Sequence, residues 1–122
     1  MKTATVRGDS IPAQIERAQT VVIIREGIQP FSEPQEDGTV IQGYLWSETR
    51  LSPAEAEGIE AGRIPAENTA CRRLRLLAQL SATDYVAAKL AEAEGEELAQ
   101  LRQEYAPVIA QRKAWRAEIN SL

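Results

Sequence analysis

Thr20-Val21-Val22-Ile23-Ile24-Arg25 and, after a turn, Thr39-Val40-Ile41-Gln42-Gly43-Tyr44-Leu45-Trp46 decide the fold of this chain. Four successive β-branched apolar residues, Val21 to Ile24, favour an extended backbone. Because the run does not alternate with polar residues, it predicts burial on both faces or an inner place in a small sheet. Between the two stretches lies Ser32-Glu33-Pro34-Gln35-Glu36-Asp37-Gly38, rich in turn formers, with Asp37-Gly38 a strong hairpin signal. Two or three antiparallel strands are expected. A two-stranded hairpin is marginal alone, so it must pack on helices or on another subunit.

Upstream, the first twenty residues are polar and punctuated by Gly8 and Pro12, with Ile11 and Ile15 as anchors. An ordered arm and a loose one both fit them. Downstream, the character changes at Leu51. Ser52-Pro53-Ala54-Glu55 combines a capping serine, proline at the first helical position and glutamate three residues after the serine. Gly62 is placed to end that short helix, and Pro65 separates it from a longer one over about residues 69–80. Its expected buried positions are Cys71, Leu74, Leu77, Ala78 and Leu80. Ser81-Ala82-Thr83-Asp84 reads as a further cap, followed by the apolar stripe Tyr85, Val86, Leu90 and Ala93, and Gly95 as a break. The expected fold is α+β: an N-terminal antiparallel β-hairpin or small sheet over residues 1–51, then three to four helices over 52–122.

The last helical stretch carries an unbroken three-four rhythm. Leu98, Leu101, Tyr105, Val108, Arg112, Trp115, Ile119 and Leu122 follow one another at intervals of 3, 4, 3, 4, 3, 4 and 3 residues. Such a heptad seam buries one narrow face against another helix. Leu98, Leu101, Tyr105, Val108, Arg112, Trp115 and Ile119 are therefore the expected partner-binding residues. Tyr105 and Trp115 are candidate anchors, since aromatics dominate interface energetics. A charge on a seam is costly unless paired and often fixes register. Arg112 is given that role, with Glu118 or a glutamate of a neighbouring chain as its partner. Pro107 sits inside the pattern and should kink the helix or restart it, while the heptad register continues through it.

Little in the chain points to catalysis. Among 122 residues there is no histidine, which removes the commonest general base and zinc ligand. Neither a Walker pattern nor GxGxxG occurs. The carboxylates Glu55, Glu57 and Glu60, and Glu92, Glu94, Glu96 and Glu97, read as solvated helix faces, without the oxygen-ligand spacing of a calcium loop. Cys71, the single cysteine, precludes an intrachain disulfide and reads as a small core residue. No catalytic residue, metal ligand or cofactor is expected. A net charge of −4 argues against a general nucleic-acid binder. No apolar run approaches the roughly 20 residues that span a bilayer, and the first residues lack the apolar core of a signal peptide.

The C-terminal half resembles small tail-region proteins of tailed bacteriophages. The resemblance rests on Leu80-Ser81-Ala82-Thr83-Asp84-Tyr85-Val86-Ala87-Ala88-Lys89-Leu90-Ala91-Glu92, then on residues 105–112, Trp115-Arg116 and Ile119-Asn120. It covers residues 80–122 well and 20–60 weakly, and Pro107 departs from the uninterrupted helix expected there. It implies a non-enzymatic tail accessory or assembly protein. Its partners would be itself, as a homo-oligomer (dimer or trimer), or other phage tail proteins, in the host bacterial cytoplasm during assembly and in the virion tail. Two other readings stand beside it. One is a transient tail assembly chaperone. The other is a small regulatory module binding nucleic acid through Arg72, Arg73, Arg75 and the C-terminal basic cluster.

Overall fold

A computed structural model describes all residues, 1–122. The chain divides into two units, Met1–Pro65 and Ala66–Leu122. The first holds strands β1 (Lys2–Gly8), β2 (Ile15–Arg17), β3 (Val22–Pro34) and β4 (Val40–Leu51), followed by helix α1 (Pro53–Glu60). The strands form one antiparallel sheet in the order β1-β4-β3-β2. The expected α+β class is what the chain adopts, and β3 takes the inner position its apolar run required. Two differences follow from packing. The first twenty residues supply both edge strands rather than an arm. The unit boundary falls after Pro65 rather than after residue 51, because α1 packs on β4. Ala56 and Ile59 of α1 are buried, as are Val22, Ile24 and Leu51 of the sheet.

The hairpin turns over Gln35–Thr39, where the Asp37 carboxylate accepts from the Thr39 hydroxyl at 2.6 Å and its amide at 3.0 Å. Those bonds hold the Asp37 carboxyl below its ordinary pKa. Near the turn the strands pair Pro34 with Val40, but below Gly27 the register shifts by one residue. Gly27 has φ +62°, a conformation costly for any residue with a Cβ, and it forms the bulge. The consequence is electrostatic. An unshifted register would set Glu26 across from Glu48; the bulge sets Arg25 there instead.

Glu48 is only 5% exposed, and three side chains satisfy it. Arg25 Nε donates at 2.9 Å, Trp46 Nε1 at 3.4 Å and Arg50 Nη2 at 3.2 Å. Burial raises the carboxyl's pKa, but the bonds from Arg25, Trp46 and Arg50 outweigh it and leave it below the ordinary value. Arg25 also reaches Glu16 at 2.6 Å and the Ala13 carbonyl at 3.1 Å, tying the β1–β2 connection to the sheet.

The second unit contains α2 (Thr69–Ala82), α3 (Asp84–Glu92), α4 (Gly95–Glu104) and α5 (Ala106–Ser121). Helix α2 packs on α3 and α5, and α4 packs on α3 and α5. Asn68 caps α2 by accepting from the Cys71 amide at 2.9 Å. The buried set of α2 is Ala70, Cys71, Leu74 and Leu76; Leu77, Ala78 and Leu80, expected inside, are half-buried. Five helices exceed the expected three to four because the terminal run counts as two.

Candidate functional site

The heptad stretch divides at Tyr105, whose φ of −97° and ψ of 13° end α4 and begin α5. Pro107 lies in the first turn of α5, where a backbone N–H has no intrahelical partner to lose. Proline therefore restarts the helix. On the other side, Gly95 opens α4 with φ +59°, separating it from α3 as its position suggested.

Arg112 is the one buried residue of α5, at 9% exposed, so the restart does not carry it to the surface. Within the chain its partners are not Glu118 but groups of α2 and α3. Nη1 donates to the Leu80 carbonyl at 2.7 Å and to Thr83 Oγ1 at 2.6 Å, and Nη2 donates to Asp84 Oδ1 at 3.0 Å. Thr83 in turn donates its hydroxyl proton back to the Gln79 carbonyl at 2.9 Å. These groups form the corner between α2 and α3. The last turn of α2 has no basic residue of its own, and α3 opens on an acid. Arg112 thus supplies from α5 the cation that the C-terminal end of α2 attracts. It holds α5 in register against its own unit, through partners other than the Glu118 expected from sequence.

Tyr105 also turns to its own unit. Its ring meets Tyr85 edge-on at 6.3 Å between centroids, and its hydroxyl accepts from Lys89 Nζ at 3.2 Å. Lys89 lies 5.5 Å and 5.8 Å from the Tyr105 and Tyr85 ring centres. The Tyr105 hydroxyl bond raises the Lys89 pKa above its ordinary value. Sequence reasoning did not single out Lys89 or Asp84 as members of these clusters; both lie in the segment that carries the resemblance.

The rest of the seam is different. Leu98, Leu101, Val108, Trp115 and Ile119 are all half-buried, and α4 contains no buried residue at all. None of these five is fully buried within the chain. Of the arginines weighed as an anion site, Arg72 is exposed while Arg73 and Arg75 are half-buried. No helix is long and apolar enough to cross a membrane. No family model, curated protein or solved structure matches the chain.

Proposed function

We propose that this protein is a non-enzymatic structural or accessory component of a bacteriophage tail, assembling with protein partners through α4 and α5. One observation carries the assembly reading. Five apolar residues of α4 and α5, a tryptophan among them, are each left partly exposed in a unit whose polar Arg112 is buried. Burying an exposed side chain of this kind contributes about 1.5–3 kcal/mol, and covering the fraction of the five that remains open adds part of that per residue to association. The phage setting is supported by the sequence resemblance over residues 80–122.

Replacing Trp115 with alanine tests these residues. Loss of a central aromatic anchor costs about 2 kcal/mol or more, which raises a dissociation constant roughly 30-fold. Sedimentation of wild type and W115A at matched concentrations should show that loss; unchanged mass and unchanged melting temperature together would remove Trp115 from the contact. A transient chaperone would use the same residues. Mass spectrometry of purified particles separates the two, since a component is retained and a chaperone is absent.

A further inference from the structure

In the sheet, β4 outruns its outer neighbour. The Gln35 amide donates to the Thr39 carbonyl at 2.8 Å, so odd-numbered residues of β4 near the turn bond to β3. The backbone groups of Val40 and Gln42 therefore turn to the other side. There β1 reaches only to Gly8, opposite Tyr44, and leaves residues 40–43 without a strand beside them. Val40 and Ile41 are both exposed. An open apolar edge is a pairing template that folds usually blunt. Near the turn β3 blunts its own outer edge with Pro30 and Pro34, whereas β4 contains no proline.

The chain holds a segment that fits this edge. Continuing the β1 register past Gly8 sets Asp9 opposite Gly43, Ser10 opposite Gln42 and Ile11 opposite Ile41. Ile11 is the most exposed large apolar side chain of the molecule, at 66%. In that register it joins Ile41 in a non-hydrogen-bonded pair, the kind whose side chains approach closest. Pro12, next in line, lacks the N–H that the following rung needs and ends the extension.

In the structure these residues lead elsewhere. They cross to the opposite edge of the sheet, where β2 pairs Ile15 with Ile24. Arg25 latches them there. Its amide donates to the Gln14 carbonyl at 2.8 Å, and its guanidinium donates to the Ala13 carbonyl at 3.1 Å and to Glu16 at 2.6 Å. The two seats exclude each other. Ile24 pairs with Thr49, and Thr49 lies 8 residues from Ile41 along β4. The seats of Ile11 and Ile15 would thus stand about 27 Å apart along the strands and about 14 Å apart across them. The chain from Ile11 to Ile15 spans at most about 14 Å.

We propose that residues 9–17 are a strap with two exclusive seats: latched on β3 by Arg25, or zipped onto β4 as an extension of β1. Moving between them exchanges the sheet edge left open to a partner strand. Residues 40–43 of β4 are open in the first state, and residues 22–25 of β3 in the second. The switch involves the sheet unit alone.

Cysteine pairs trap the second seat. In a Cys71→Ala background, Ile11→Cys/Ile41→Cys brings two thiols within disulfide reach only when β1 is extended, whereas Ser10→Cys/Ile41→Cys sets them on opposite faces of the sheet. Ser10, Ile11, Glu16 and Ile41 are all exposed, so none of these changes disturbs the core. Under mild oxidation the first pair should close an intramolecular disulfide at least about tenfold faster than the second, read by mass spectrometry. Glu16→Ala loosens the latch but leaves Arg25 its bond to Glu48, and should speed closure about two- to fivefold. In the cross-linked form the Arg25 amide should lose its protection from hydrogen exchange, because its Gln14 acceptor has left. Absence of the Ile11→Cys/Ile41→Cys disulfide, or equal rates for the two pairs, would overturn the strap. So would a rate unchanged by Glu16→Ala, or an Arg25 amide still protected after cross-linking.

Discussion

Removing the Arg112 guanidinium should destabilise the helical unit rather than alter its partners. In Arg112→Met the stem and most of its packing remain, so the change isolates the polar contacts. The Leu80 carbonyl keeps the Thr83 amide at 3.1 Å, and the Thr83 hydroxyl keeps Gln79, so neither group is stranded. What disappears is the charge-assisted part of two short bonds, about 1.5–3 kcal/mol. The Asp84 pair adds less than about 1 kcal/mol, because its carboxylate is 68% exposed. The total is about 1.5–4 kcal/mol. With a urea slope of about 1.5 kcal/mol/M, that lowers the midpoint by about 1–2.7 M. Urea titration at pH 7, followed at 222 nm where helix dominates, reads it directly. Arg112→Lys should recover about half, since an ammonium cannot serve the α2 carbonyl and Asp84 as a fork does. Arg116→Met, lacking partners, should be near wild type. An Arg112→Met midpoint within the error of wild type would refute the clamp.

Three further outcomes follow from the sheet unit. Glu48→Gln leaves Arg25 and Arg50 without their shared carboxylate and should cost about 3 kcal/mol at neutral pH. Because the folded carboxyl lies below the ordinary value of 4.5, its stabilisation is complete above that pH and lost as pH falls through the folded pKa. The variant's stability should accordingly change less than wild type's below pH 4.5 in acid melts. Gly43→Ala would place a Cβ 2.6 Å from the Gly8 carbonyl oxygen and 3.1 Å from the Phe31 ring. Separating β1 from β4 to admit it should lower stability by about 1–3 kcal/mol, measured by thermal melting. Ser52→Ala removes the acceptor for the Glu55 amide, 3.1 Å away, and should cost about 1 kcal/mol in the same assay.

What the sequence disclosed is what local rules govern. The hairpin, the Ser52–Glu55 capping box and the Gly95 break each depend on a few adjacent residues, and each is present. Edge strands β1 and β2 escaped because they are short or polar and take their conformation from partners elsewhere: Lys2 to Gly8 pair with Arg50 to Tyr44, and Arg17 with Val22 by way of a tight return. Periodicity found Arg112 but misassigned its partner, since the Leu80–Asp84 corner meets it only after α5 folds onto α2. The Arg25–Glu48 pair depends on one bulge; without it, counting back from the turn opposes two glutamates. Leu76 rather than Leu77 is buried because the neighbours of α2, not its isolated amphipathic pattern, select its inner face.

The central claim is that the partly exposed apolar residues of α4 and α5 are covered by a protein partner, with a second copy of the chain as the partner tested first. Absolute mass by light scattering over a concentration series is the direct test. The account predicts twice the mass of the 13.4 kDa chain at micromolar and higher concentrations, with reversible dissociation on dilution. A mass that stays at 13.4 kDa throughout would contradict it.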